Sequence, residues 1–305
     1  MTGLLLASLL WAFSFGLIGN TLAGLPPAIV AGSRLALALL VFAPFARRRT
    51  PAEALALAAI GGVQFGLMYL CYNASFACLP SHVVALFTVC TPVYVVLLCD
   101  VRERRLNPVA LAAALAAVAG GAVVTWGSAR PAVAWRGFLL VQGANLCFAA
   151  GQVAYREWTR RRPGVSDASA MAWLYLGATL VVLPAATAAW AAHPVPPPPQ
   201  QLAVLAYLGI VASGLGFFLW NAGARRAAPG VLAVCNNLKI PLAAAASLLF
   251  FGERADPLRL AIGAVLLGGS LLLASGGRQQ APGDRRQAAG AKGGQGGVKC
   301  GDGDD

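Results

Sequence analysis

The stretch PGVLAVCNNLKIPLAAAASLLFFGERADPLRLAIGAVLLGGSLLLAS, residues 229–275, decides how the chain folds. It consists of two apolar runs joined by the short charged turn 252–257. The stretch 80–126 carries the same landmarks in the same order: two prolines twelve residues apart, a Glu-Arg turn, an Asx-Pro pair and a Gly-Gly pair. Because several landmarks recur in one order, the sequence predicts an internal duplication.

The composition points to a membrane protein. The chain has 305 residues, of which 58% are hydrophobic and only 11% are charged, whereas soluble domains carry about 25% charged residues. Apolar segments of about 20 residues, the length that crosses a bilayer, recur along it. A net charge of +12 would suggest nucleic acid in a soluble protein, but most Arg residues lie in short loops between apolar runs. We therefore expect a lipid bilayer around the chain and no nucleic-acid partner.

The predicted architecture is an all-α polytopic membrane protein with ten transmembrane helices. The ten apolar spans lie at about 3–20, 27–45, 54–73, 80–98, 108–126, 135–155, 168–190, 202–221, 230–251 and 257–275. With the N-terminus in the cytoplasm, 17 of the 23 Lys and Arg residues fall in inner loops and the tail, and 4 fall in outer loops. This bias predicts cytoplasmic termini at a bacterial inner membrane.

A duplicated unit of five helices must enter the membrane upside down in its second copy, because five is odd. The predicted domains are a first repeat at 1–126, a second at 127–275 and a disordered cytoplasmic tail at 276–305. Inverted repeats are typical of transporters, whose substrate site lies near the midplane between the halves. A homodimer is a candidate assembly.

Several short motifs resemble those of the EamA domain, a unit of the drug/metabolite transporter superfamily. They are Trp11 to Phe15, Gly32 to Leu35, Val101 to Arg105, Phe251 to Arg254, Ala261 to Gly263 and Gly268-Gly269. The match covers residues 1–275 as two repeats. The resemblance implies ten helices and the movement of small metabolites, often outward, without fixing the substrate.

No catalytic or metal-binding pattern stands out. The sequence contains no hydrolase elbow or Walker loop, and all eleven acidic residues fall in loops, at span edges or in the tail. The seven cysteines form no CxxC pair and are interpreted as small core residues. We expect no enzyme activity and no cofactor. Glu103 and Glu253, which echo each other in the two repeats, are expected to brace helix ends or pair with a neighbouring Arg.

Lys239 is the strongest candidate for substrate binding. It lies about ten residues into the ninth span, where a cation is unfavourable by at least ~2.5 kcal/mol and should face the bundle interior or water. Asn236 is one turn away on the same face, and Asn237 is close by. Lys239 is either a counter-charge for an anionic or zwitterionic substrate, or a structural lysine satisfied by carbonyls and amides.

Other polar or bulky residues at depth are weaker candidates. Arg34 could guide a carboxylate inward or be a structural anchor. Gln142 and Asn145 share one helical face with Gln152 and, with Gln64, could line a polar pathway or simply join helices. Trp11 could form a cavity wall or be part of the core.

The predicted function is secondary transport by alternating access, with export of small amino-acid-like or carboxylated metabolites as the expected direction. The alternative is a non-transporting membrane scaffold or partner subunit. A proton relay would lack carboxylates within the membrane, so facilitated diffusion, or exchange through deprotonation of Lys239, stays open.

Overall fold

A computed structural model of the chain describes residues 2–102, 130–162, 164–225, 227 and 229–253, with scattered positions at 104–123 and 258–269. This part is all-helical, without strands. Its eight long helices are α1 Thr2–Thr21, α2 Pro27–Phe45, α3 Pro51–Ser75, α4 Ser81–Arg102, α5 Pro131–Arg160, α6 Asp167–Ala192, α7 Pro199–Ala224 and α8 Pro229–Phe250. The first seven are long and apolar enough to cross a membrane.

The eight helices match eight of the predicted spans to within a few residues, because apolar length and proline punctuation are local features of the sequence. Five of them, α2, α3, α5, α7 and α8, have proline as their first residue, where its missing N–H group leaves no helical bond unmade. The predicted spans at 108–126 and 257–275, and the tail from residue 276, lie outside the described residues apart from scattered positions.

Three helices change their winding near mid-length. α3 is π-helical at Gly62–Leu67 and α7 is π-helical at Tyr207–Leu215, which are corresponding positions of the two halves. α4 contains a 3₁₀ turn at Thr88–Cys90, just before Pro92, whose ring removes one backbone donor. Such departures often accompany functional sites, because they redirect side chains and release backbone groups.

The largest helix contacts form a set that is unchanged when the two halves are exchanged. α1 packs against α7 and α8, and α5 packs against α3 and α4. Likewise α2 packs against α6 and α7, and α6 packs against α2 and α3, while α4 meets α8. Swapping α1 with α5, α2 with α6, α3 with α7 and α4 with α8 leaves this set of contacts unchanged.

The α3–α6 contact depends on a reciprocal pair of glycines. A Cβ atom on Gly61 would overlap the backbone carbonyl of Leu174, and one on Gly177 would overlap that of Ala58. The two backbones therefore touch directly, as in the small-residue contacts that bring membrane helices together.

Charged contacts collect at the two ends of the bundle. At one end Arg162 Nε lies 2.9 Å from Glu53 Oε1, and Arg225 Nη1 lies 2.6 Å from Asp167 Oδ1. At the opposite end Glu253, which follows α8, contacts the end of α1 and the start of α4. The basic loops between α2 and α3 and between α5 and α6 thus share one end of the bundle.

Candidate functional site

A cavity lies in the middle of the bundle, bounded by every described helix except α6. It holds about 560 Å³ of empty space, counting its open mouth. Aromatic rings form much of its wall, and α4 and α5 contribute hydroxyl groups and one amide to it. The lining residues are Trp11, Ser14, Phe15, Arg34, Met68, Tyr69, Tyr72, Thr88, Thr91, Ala144, Asn145, Phe148, Phe217 and Lys239. Among them are two cations and no carboxylate.

Lys239 enters the cavity from α8. Its side chain is buried, with the residue 8% exposed, and its Nζ donates to Asn236 Oδ1 at 3.1 Å. Nζ also lies 5.1 Å from the centroid of the Trp11 ring, within the range of a cation–π interaction. Asn236 in turn donates to Asn237 Oδ1 at 3.3 Å. An ammonium has three N–H donors, and only this one hydrogen bond is made to the described residues.

Arg34 enters the same cavity from α2 and is even more deeply buried, at 2% exposed. Its Nε donates to Ser213 Oγ at 3.2 Å and its Nη2 donates to Tyr69 Oη at 2.7 Å. The π-helical turn of α7 places Ser213 so that its Oγ donates to the Leu208 carbonyl, five residues earlier, at 2.6 Å. Arg34 Nη1 is buried without a hydrogen-bond partner in the described part of the chain.

Trp11 is both a core residue and a cavity wall. Its Nε1 donates to the Ala212 carbonyl at 2.9 Å, which fixes the plane of the ring. Its ring centroid lies 4.8 Å from that of Phe217, and Phe217 lies 5.7 Å from Phe148. These rings form a rigid apolar surface beside Lys239.

Asn145 lines the cavity but uses its hydrogen bonds to hold the 3₁₀ turn of α4. Its Nδ2 donates to the Phe87 carbonyl at 2.9 Å, and its Oδ1 accepts from Thr91 Oγ1 at 3.1 Å. Gln142 lies behind it and accepts from Asn145 Nδ2 and from Tyr94 Oη. These two amides therefore join α5 to α4.

Gln64 does not reach the cavity. Its Nε2 donates to Asn221 Oδ1 at 3.3 Å, which links α3 to α7, and its stem packs against Gly151. Gln152, predicted on the same stripe as Gln142 and Asn145, accepts from Trp220 Nε1 at 3.4 Å. Of the eight predicted site residues, the structure brings Lys239, Arg34, Trp11 and Asn145 together around the cavity, places Asn236, Asn237 and Gln142 behind them, and leaves Gln64 apart.

Sequence reasoning missed much of the cavity wall, including Tyr69, Phe148, Phe217 and Thr91. Tyr69 and Tyr72 recur at a spacing of three on α3, and Thr88 and Thr91 do so just before Pro92. Such spacing marks a shared helical face, but it does not reveal whether that face meets a cavity or a neighbouring helix.

Glu253 joins several helix ends at the end of the bundle opposite the basic loops. Its carboxylate accepts the N–H groups of Ser81 at 3.0 Å and His82 at 3.2 Å, and the Nδ2 donor of Asn20 at 3.1 Å. His82 Nδ1 lies 2.6 Å from Oε2. Partial burial raises the pKa of Glu253, but these hydrogen bonds, led by that of His82, lower it more, to about 2. Glu253 thus braces helix ends, as expected, with His82 as its close partner; Glu103 lies outside the described residues.

Comparison with known proteins identifies the family of the chain. The model of the EamA-like transporter family matches residues 1–126 and 135–275. A probable biotin transporter of Pseudomonas aeruginosa is 40% identical over 284 residues, covering 92% of this chain and 99% of that protein. The biotin transporter of Escherichia coli K12 is 38% identical over 245 residues, covering 79% and 81%.

More distant relatives share the fold. A probable terminal-alkyne amino-acid exporter of Streptantibioticus cattleyicolor is 28% identical over 280 residues, covering 88% of this chain and 91% of that protein. A protein of known crystal structure superimposes with a TM-score of 0.62 over 90% of this chain and 96% of its own, at 19% identity.

The family match and its relatives decide between the two functions left open by the sequence, a transporter and a non-transporting scaffold. A cavity lined by cations and aromatic rings is also the arrangement expected of a small-molecule site. The chain belongs to the EamA-like transporter family and is a multi-pass membrane transporter of small metabolites, not an enzyme.

Proposed function

We propose that the protein transports a small carboxylated metabolite through the central cavity, with biotin as the first candidate. The observation that carries this proposal is Lys239, a buried cation that faces the cavity with no carboxylate beside it among the described residues. A buried charge needs a partner, and a substrate carboxylate would supply one.

The chemistry of the cavity wall supports biotin. Biotin combines a carboxylate, an aliphatic chain and a compact bicyclic head, which suit a cation, an aromatic wall and a polar end respectively. Relatives that are 40% and 38% identical are named as biotin transporters, and these alignments span most of both chains.

Movement by alternating access of two inverted five-helix repeats, 1–126 and 127–275, is part of the proposal. The exchange symmetry of the helix packing and the matched π-helical segments of α3 and α7 support it. We further propose a bacterial inner-membrane location with both termini cytoplasmic. Export, a homodimer and the absence of a nucleic-acid partner stay predictions.

The charges in the cavity limit how transport could be coupled to the movement of protons. No acidic side chain lines it within the described residues, so a carboxylate proton relay has no members there. Facilitated diffusion, or exchange in which Lys239 gains and loses a proton, fits the available groups.

The test is flux of radiolabelled biotin in proteoliposomes, measured in both directions. Lys239→Ala is expected to reduce the initial rate by about tenfold or more, because a charge-assisted hydrogen bond contributes about 1.5–3 kcal/mol. Arg48→Ala, a change at an exposed cation outside the cavity, is the matched control and should transport like the wild type. An unchanged rate in Lys239→Ala would remove Lys239 from the site.

A further inference from the structure

Arg34 lines the cavity and has one buried donor nitrogen without a partner among the described residues. The residue is 2% exposed, it lines the cavity, and its Nη1 has no partner in the described part of the chain. A guanidinium stays protonated in proteins, so this nitrogen always carries two N–H donors. Leaving a buried donor of a charged group unpaired is unfavourable, which indicates that the substrate completes this site.

The hydrogen bonds already made by Arg34 limit what it can bind. A carboxylate is held best across two parallel N–H groups of the guanidinium fork. In this structure Nε and Nη2, which form one such edge, are taken by Ser213 and Tyr69. The remaining nitrogen, Nη1, suits a single acceptor atom such as a carbonyl oxygen.

The surroundings of Arg34 also suit a flat, uncharged group. The guanidinium carbon lies 4.2 Å from the centroid of the Tyr69 ring, and the Phe217 ring lies 6.1 Å from that of Tyr69. Lys239, by contrast, has one described hydrogen bond and two free N–H donors. The cavity therefore has an ammonium at α8 and a single unpaired guanidinium nitrogen at α2.

We propose that Arg34 is a specificity-determining residue that donates from Nη1 to a neutral carbonyl oxygen of the substrate, while Lys239 holds the carboxylate. The substrate class is then a monocarboxylate with an amide-like or urea-like carbonyl at its far end, and the ureido oxygen of biotin is such an acceptor. This inference rests on the proposed function. Tyr69 and Ser213 act as positioning residues that hold the guanidinium.

The experiment is competition against radiolabelled biotin uptake in proteoliposomes, with two analogues that each alter one end. In 2-thiobiotin, sulfur replaces the ureido oxygen and accepts a hydrogen bond weakly; in biotinol, an alcohol replaces the carboxylate. In the wild type both analogues should compete about tenfold or more weakly than unlabelled biotin. In Arg34→Gln, 2-thiobiotin should compete as strongly as unlabelled biotin, whereas biotinol should still compete more weakly than biotin.

In Lys239→Gln, biotinol should compete as strongly as unlabelled biotin, whereas 2-thiobiotin should still compete more weakly. Arg48→Gln, at an exposed position, should match the wild type. The 2-thiobiotin ratio is the concentration of 2-thiobiotin that halves uptake divided by that of unlabelled biotin. If Arg34→Gln takes up biotin and this ratio equals that of the wild type, the inference is overturned and the proposed function stands. Absence of biotin uptake by the wild type would reject the proposed function and the inference together. If Arg34→Gln is not monodisperse in detergent, the ratio is measured in Tyr69→Phe: a reduced ratio supports the inference, and an unchanged one overturns it.

Discussion

Lys239 and Arg34 approach the cavity from helices of different halves, and each is held by a neutral partner instead of an acidic one. Asn236 and Trp11 support the ammonium, and Ser213 and Tyr69 support the guanidinium. Neutral partners orient a cation without cancelling its charge, so both cations keep their attraction for an anionic or polar ligand.

At the same scale, Glu253 should matter for stability. Glu253→Gln removes the charge that accepts the N–H groups of Ser81 and His82, and hydrogen bonds to a charged group contribute about 1.5–3 kcal/mol each. We expect a lower melting temperature in detergent at pH 7. Asp284→Asn in the predicted tail is the control for the loss of one negative charge, and an equal effect of the two changes would contradict this role.

The pH dependence has a definite sign. The pKa of Glu253 is lowered from the ordinary 4.5 to about 2, so its contribution to stability is complete above pH 4.5 and is lost as the pH falls towards 2. The melting temperatures of the wild type and Glu253→Gln should therefore converge below pH 4.5. A constant difference between them across pH 7 to 3 would exclude this ionisation as the cause.

The residue scale also shows what the sequence could predict. Lys239 and Asn236 are three apart on one helix, and local geometry alone brings them together. Gln64 was a weaker candidate, chosen because it lies at mid-depth, and it bonds to Asn221 on α7 instead. Which face of α3 meets the cavity depends on how distant helices pack, and that information is absent from the local sequence.

At the scale of elements, helix positions followed from apolar length, whereas helix contacts did not. Small residues four apart favour close helix packing in the sequence at Ala112, Ala116 and Gly120 and at Ala264 and Gly268, but only scattered positions of these two spans are described. The described close contact is made instead by Gly61 of α3 and Gly177 of α6, which sequence inspection did not single out. Glycines recur throughout the chain, so their number hides the few that touch another backbone.

Gly61→Ala should therefore destabilise the bundle. Its Cβ would overlap the Leu174 carbonyl, and overpacking of this kind lowers the free energy of unfolding by about 1–3 kcal/mol. We expect a lower melting temperature and a lower yield of monodisperse protein. Gly143→Ala on α5 is the matched control, because its Cβ would meet only Cys71 Sγ at an ordinary 3.7 Å. Equal melting temperatures for the two variants would refute the close-contact explanation.

At the scale of the whole molecule, the duplication seen in residues 80–126 and 229–275 predicted more than any single motif. A duplication of this kind implies that α3 and α7 are equivalent helices, and both are π-helical near their middle. The duplication could not predict the cavity, because a cavity forms where the side chains of the two halves do not fill the space between them.

The orientation of the bundle can be tested by cysteine labelling in intact cells. Val195, 72% exposed between α6 and α7, is predicted on the outer side, and Arg48, between α2 and α3, on the cytoplasmic side. A membrane-impermeant maleimide should label Val195→Cys in intact cells and Arg48→Cys only after permeabilisation, with the wild-type chain as background. The opposite pattern would reverse the proposed orientation, and labelling of both from outside would refute the topology.

Glu253 joins the ends of three helices. It follows the end of α8, and its carboxylate bonds to Asn20 at the end of α1 and to Ser81 and His82 at the start of α4. Separating any two of these helix ends breaks at least one hydrogen bond to the carboxylate. Opening of the bundle at this end therefore requires that bonds to Glu253 are broken.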